Sequence, residues 1–323
     1  MPFFLRHLFL VVLLAALWPL GASAQAYPAR PIRLIVPWPP GTPADVAGRI
    51  VAERMGAGLG QPVVVENKPG AAGTIGLADA LRSPADGHTV YMLSSASLVA
   101  PLLFPTQNID FARSLAPVGH VAWSTNVLVT PMDSPLRSAK DVAEQARAQP
   151  GALSFASGGN GTPAHLAGEL FRQQTGTVST HVPYNQFTLA VGDLIAGRVS
   201  YMFLTASAAL PQIQGGKLRA LGVTGAERLP ALKDVPTLAE QGFGEFVLRS
   251  FDGMTVKAGT APEIVARLNA ELNKALSTPE VRERLAPLAL EPEPMPAQRF
   301  GAVIASESER WLRIAKAARI KAD

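Results

Sequence analysis

Two lobes of α/β structure, each a mainly parallel sheet flanked by helices, with a ligand cleft between them, are what this 323-residue sequence predicts. Three observations carry that expectation. Short β-rich runs alternate with capped helical segments in two successive sets. Small, Gly-rich or hydroxyl-bearing stretches follow the strands, at the ends where open parallel sheets hold ligands. The chain also offers two crossings between the sets, near 121–128 and 245–254, which suggest a double hinge.

Residues 1–24 stand apart from the fold. Arg6 and His7 precede an apolar run from Leu8 to Leu20, and Ala22-Ser23-Ala24 follows it, so a secretory signal peptide cleaved after Ala24 is expected. No later run reaches the roughly 18 apolar residues of a membrane span. Cysteine is absent, which excludes disulfides, thiolate chemistry and a lipid-anchored cysteine at the cleavage site.

The first set begins at Ile32 to Val36, read as a strand. A Pro/Gly turn follows, then Thr42 as N-cap, Pro43 at the first helical position and Asp45 as a capping-box acid, so a helix is predicted from Pro43 to Leu59. Pro62 to Val65 is the second strand, Glu66 to Gly73 a loop, Thr74 to Arg82 a helix, and Thr89 to Leu93 the third strand. Strands separated by helices imply right-handed βαβ units.

The second set starts with a strand at Val127 to Thr130, and Ser138 then caps a helix with Asp141 in the capping-box position. Ala152 to Ala156 is the next strand. Gly158, Gly159 and Gly161 allow a tight turn, Thr162 caps and Pro163 opens a helix that Gly176 stops. His181 to Tyr184, Val199 to Leu204 and Arg219 to Thr224 read as strands, with helices at Phe187 to Ala196 and Ala206 to Gln214 between them. Val247 to Val256 returns to the first lobe, where helices Pro262 to Ser277, Glu280 to Leu285 and Pro296 to Ala317 pack. The lobes are therefore placed at 25–125 plus 250–323 and at 126–249.

The tetrapeptide GTPA occurs in both strand-to-helix turns, at 41–44 and 161–164. A helix start presents unpaired N–H groups and the positive end of its dipole, a recipe for holding an anion, and Thr162, Ser157 and Asn160 add neutral donors. The formal charge of +4, near +3 once Arg6 is set aside, is mild and its cations are scattered, so nucleic-acid binding has no support.

The strings YPARPIRLIVPWPPGTPAD, VENKPGAAGTIG, PADGHTVYM, LSFASGGNGTPAHLAGELF, HVPYN, GKLRALGVT, VPTLAEQGF and a late RW run in order from Tyr27 to Trp311. In these the chain resembles the Bug or TctC family of extracytoplasmic solute receptors, which serve tripartite tricarboxylate transporters in bacteria. The resemblance implies a type II-like periplasmic binding protein that closes on a small carboxylate and delivers it to the transporter's membrane subunits. It implies ligand contacts from Pro40, Gly41, Thr42 and Asp45, from Ser94 and Ser95, from Ser157, Gly158, Asn160, Gly161, Thr162 and His165, and from Tyr184, Thr205 and Ala206. A periplasmic monomer without cofactor or metal is expected.

The chain departs from the family pattern twice. The second glycine of the usual PGG is replaced in Pro40-Gly41-Thr42-Pro43-Ala44-Asp45, and VPYKG is here Val182-Pro183-Tyr184-Asn185-Gln186, followed by Phe187, which could narrow the pocket or pack in the core. None of the four ligand loops carries Lys or Arg, while Lys68 and Arg249 read as solvated charges. An enzyme is the rival reading, with His165 and Glu169 one helical turn apart and Asp45 or Asp252 to complete a constellation. The string HLAGE is not HExxH, however, and no G-x-S-x-G, Walker or G-x-G-x-x-G motif occurs. A third reading is a receptor that reports its solute to a membrane sensor kinase, for which the same lobe closure would serve.

Overall fold

The computed structural model describes residues 27–244 and 246–320, and the expected signal peptide lies outside them. Strand β1 (Ile32–Val36) lies between β2 (Val63–Asn67) and β3 (Thr89–Ser94), parallel to both. Ile32, Leu34, Ile35 and Val36 are all fully buried, as in a central parallel strand covered on both faces. Helix α1 (Pro43–Leu59) covers the Leu34 and Val36 face through Ala47, Ile50 and Val51, and α2 (Thr74–Arg82) covers Ile35 through Leu77. After β3 the chain makes a 3-10 turn over Ser95–Val99 and two single-turn helices, α3 (Ala100–Leu103) and α4 (Phe111–Ser114).

The element that organises both halves is β4 (Leu115–Pro131), 17 residues long. The sequence predicts only its last part, Val127 to Thr130, because Pro117, Gly119, His120 and the polar run Ser124-Thr125-Asn126 interrupt the apolar signal. Register shifts at Pro117/Gly119 and His120/Ala122 accommodate those residues as bulges. Up to Thr125, β4 pairs antiparallel with β9 (Arg249–Lys257), which in turn pairs antiparallel with β3. From Asn126 onward it pairs with β7 (Tyr201–Thr205) and, from Val127, with β8 (Leu218–Val223), both antiparallel.

The second half repeats the parallel arrangement. Here β5 (Ser154–Ser157) lies between β6 (Thr180–Pro183) and β7, parallel to both. Helix α5 (Ala139–Ala148) starts in a complete capping box between Ser138 and Asp141. Helices α6 (Pro163–Thr175), α7 (Phe187–Ile195) and α8 (Ala206–Gln214) follow the three strands. Among the described residues the strand order is β2-β1-β3-β9-β4-β7-β5-β6, with β8 and the short β10 (Leu290–Glu291) also on β4. The sheet is therefore mixed: parallel within each set, antiparallel along β4 and β9.

Helices α9 (Pro262–Ser277), α10 (Pro279–Leu285) and α11 (Ala297–Ala317) close the fold on the first half. Trp311 of α11 is fully buried in a core that also holds Tyr91, Phe155, Phe203 and Phe251, so one apolar cluster runs beneath both sets of strands. No helix among the described residues is long and apolar enough to cross a membrane.

Register alone locates where the strand ends meet. Ser94, the last residue of β3, is level with Asp252 of β9 and, across β9, with Ala122 of β4. Thr205, the last residue of β7, is opposite Asn126. Both parallel sets thus point their carboxyl ends at the middle of β4, separated along it by four residues or about 13 Å.

Candidate functional site

The first corner joins β1 to α1. Gly41 has φ +81° and is exposed, and Thr42 Oγ1 donates to Pro39 O at 2.8 Å. Thr42 holds the N-cap backbone position but its side chain accepts no N–H. The capping-box bond expected of Asp45 is displaced by one residue: Oδ2 accepts from Gly41 N–H at 2.9 Å, just before the cap. Oδ1 accepts from Asn67 Nδ2 at 2.8 Å and from Arg49 Nε at 3.1 Å. Burial works to raise the Asp45 pKa, yet Arg49, Gly41 and Asn67 together hold it below the usual carboxylate value. Asp45, 2% exposed with both oxygens engaged, shapes the corner.

The second corner joins β5 to α6 with the same backbone grammar. Gly161 has φ +77°, Thr162 Oγ1 donates to Gly159 O at 2.8 Å, and His165 Nδ1 accepts from Gly161 N–H at 3.2 Å. Here Thr162 does cap, its hydroxyl lying 3.5 Å from His165 N. Ser157 Oγ accepts from Gly159 N–H at 3.1 Å and lies 2.7 Å from His181 Nε2, so this buried hydroxyl ties the turn to β6. The rings of His165 and His181 stack at 3.8 Å, with Phe155 behind His181 at 4.8 Å. Burial first, then the neighbouring His181 and Arg172, push the His165 pKa down to about 3, so its imidazole is neutral.

The remaining expected residues sit around these corners. Ser94 Oγ accepts from Ala96 N–H at 3.3 Å, and Ser95 Oγ accepts from Phe251 N–H at 2.7 Å, pinning the turn after β3 to β9. A Cβ on Gly73 would lie 2.8–3.2 Å from Ser97, Tyr91 and Pro37, so the loops after β1, β2 and β3 meet. Gly161 rests on Val99 and Leu103, which brings the second corner against the segment that follows β3. Thr205 and Ala206 open α8 opposite Asn126, and Gly158 and Asn160 are half-buried in the second turn. The Tyr184 hydroxyl donates to Asp193 of α7 at 2.8 Å, beside the exposed Arg198.

Phe187 stays out of the core, 38% exposed at the lip beside Gly158. Lys68 is exposed, but Arg249 is not a solvated charge: it pairs with Glu291 and stacks over Trp123 at 5.0 Å. The His165–Glu169 pair has no proton-transfer geometry, because Nε2 and Oε1 are 3.8 Å apart and Arg172 already holds that oxygen at 2.6 Å. Asp252 is the residue the sequence undervalued. The signal was a carboxylate inside an otherwise buried strand, SFDGMTV.

A helix start leaves its first amides without intrahelical acceptors. Two such starts of like build, and a third at α8, stand beside glycines and hydroxyls, and the guanidinium at the first corner, Arg49, is engaged by Asp45 and Asn67. Residues 47–320 match the family model described as the tripartite tricarboxylate transporter family receptor, TctC. The chain belongs to this family. A curated relative from Pseudomonas sp. (strain P51), the UPF0065 protein of the tcbD-tcbE intergenic region, is 38% identical over 300 residues, covering 93% of this chain and 89% of the relative. The solved periplasmic binding protein BugD is 30% identical with a TM-score of 0.80, over 92% of this chain and 100% of BugD. A protein from R. palustris solved with adipate is 31% identical with a TM-score of 0.82, over 91% of this chain and 99% of that one. As a member of the TctC family the chain has the two-lobed periplasmic-binding fold.

Proposed function

We propose that this receptor captures a small organic carboxylate where the two sets of strand ends meet and delivers it to the membrane subunits of a tripartite tricarboxylate transporter. The observation that carries the reading is the duplicated corner, two helix starts of matching backbone geometry whose turns carry no Lys or Arg. Such a site holds an anion with amides, dipoles and hydroxyls. Adipate in a relative of the same fold supports the ligand class. The contacts come from Pro40, Gly41 and Thr42, from Ser157 to Thr162, and from Thr205 and Ala206, with Asp45, Ser94, Ser95 and His165 fixing the loops that present them. The lobes comprise 25–125 with 250–323, and 126–249, and they close about β4 and β9. The protein is exported by a signal peptide cleaved after Ala24 and acts as a periplasmic monomer without enzymatic activity or cofactor.

The test is thermal unfolding of ligand-stripped residues 25–323 against di- and tricarboxylates, acidic amino acids and aromatic acids. A solute at about 100 times its dissociation constant adds roughly 2.7 kcal/mol, enough to move the midpoint by several degrees. A shift from one carboxylate class is expected. A panel in which no carboxylate shifts the midpoint overturns the proposal.

A further inference from the structure

Asp252 lies in β9 level with Ser94 and Ala122, at the edge where the proposed site opens. Its chain neighbours face α11. Phe251 meets Phe300 edge-on at 5.5 Å, and a Cβ on Gly253 would lie 2.0 Å from the same ring. Asp252 therefore points to the opposite face, that of Met254, which α1 covers.

The position along α1 follows from register. A Cβ on Gly48 would lie 3.2 Å from Met92, and Met92 pairs with Met254. Two strand residues further along is the Ser94–Asp252 pair, about 7 Å nearer the carboxyl edge. One helical turn back from Gly48 is Ala44, about 6 Å the same way. Asp252 thus sits beneath the first turn of α1, behind the first corner.

Its chemistry there is unusual. Asp252 is 7% exposed, and among the described residues no hydrogen-bond donor or cation of the protein reaches its carboxylate. Two other buried acids of this face have partners: Asp45 has Gly41, Arg49 and Asn67, and Glu271 has Arg267. Arg249, in the same strand, is on the far face with Trp123 and Glu291. A buried carboxylate without a partner carries an unrecovered desolvation cost, and a ligand that brings a donor, above all a cationic one, offsets it. A plain dicarboxylate placed against it adds like charge instead.

We infer that Asp252 is a specificity-determining residue that accepts from an ammonium group of the solute, so that the carboxylate this receptor takes also bears an amine. The inference rests on the carboxylate reading above and narrows it. One carboxylate of the solute lies on the amides of the corners, and its ammonium fills the acceptor that the protein leaves unpaired.

Calorimetric titration with matched pairs differing only in a 2-amino group tests this: succinate and aspartate, glutarate and glutamate, adipate and 2-aminoadipate. For the wild-type chain, the amine-bearing member of at least one pair should bind tenfold or more tightly than its plain partner. Asp252→Asn, and independently Asp252→Ser, should bring that ratio close to one while the plain diacid holds its affinity or gains. Thr162→Ala should weaken both members alike. Equal binding of both members by the wild type, or a preference that survives both Asp252 variants, overturns the inference and leaves the carboxylate reading standing. Failure of every member of every pair overturns the inference, and the carboxylate reading falls with it if the tricarboxylates and aromatic acids also leave the midpoint unmoved.

Discussion

The two GTPA corners have one backbone and two chemistries. In each, a threonine hydroxyl donates to the carbonyl three residues back at 2.8 Å, and the side chain at the third helical position accepts from the N–H of the preceding glycine. At the first corner that side chain is a carboxylate, held by Arg49 and Asn67, and Gly41 has nothing within 4 Å of a Cβ. At the second it is a neutral imidazole stacked on another, and Gly161 is pressed against Val99 and Leu103. A repeated backbone therefore does not repeat its electrostatics. The fold presents helix-start amides twice, next to acids on one side and next to buried neutral rings on the other.

The largest expected effect separates the corners by pH. Burial raises the pKa of Asp252 behind the first corner to about 7. Its folded value exceeds the unfolded one, so the folded state binds the extra proton between about pH 4 and 7 and stability falls as pH rises through that window. Asp252→Asn should therefore stabilise the ligand-free protein at pH 8 by up to about 4 kcal/mol and change little at pH 4, read as melting temperature against pH. The second corner has the opposite sign. His165 is depressed to about 3, so its contribution is present above pH 6.5 and is lost as pH falls toward 3. His165→Asn, which keeps an acceptor for Gly161, should flatten that acid loss. Parallel pH profiles for the two variants would break the comparison.

Packing gives the next effect. Both glycines have positive φ, which costs an alanine about 1 kcal/mol. A Cβ at Gly161 would also come within 2.9 Å of Leu103 and 3.1 Å of Val99. Gly161→Ala should cost about 2–4 kcal/mol in urea unfolding against about 1 for Gly41→Ala, and equal losses would mean that the second corner is no more tightly held than the first.

The smallest effect concerns the caps. Thr162→Ala removes both a cap and a proposed ligand donor, with a stability loss of about 0.5–2 kcal/mol and weaker carboxylate binding. Thr42 makes only the bond to Pro39, so Thr42→Ala should cost about half a kcal/mol. Comparable losses at the two sites would indicate that Thr42 caps in solution.

Local signals place the helix ends, although Thr42 does not cap with its side chain and Asp45 accepts from Gly41 in place of Thr42. Thr42-Pro43, Thr162-Pro163, Ser138 with Asp141, and the stop at Gly176 mark helix ends that the structure reproduces, since a cap involves residues three or four apart. The strands around them followed from runs of Val, Ile and Leu with helices between. Their bounds moved by one or two residues wherever a polar residue, Asn67 or Ser94, extended the pairing.

What the sequence by itself determined is the set of helix starts, the neutral glycine- and hydroxyl-rich loops behind the strands, and the family to which their order belongs. Tertiary structure decided the rest. The length of β4 depends on partners more than 70 residues away in sequence, and bulges let it pass through Pro117 and Gly119. Whether an acid is satisfied is likewise a matter of what lies across the fold: Asp45 finds Asn67 on the neighbouring strand, and Asp252 finds no donor beneath α1. Caps and periodicity are short-range and write themselves into adjacent letters. Register, burial and charge compensation are set by distant segments brought together, and no single stretch of the chain encodes them.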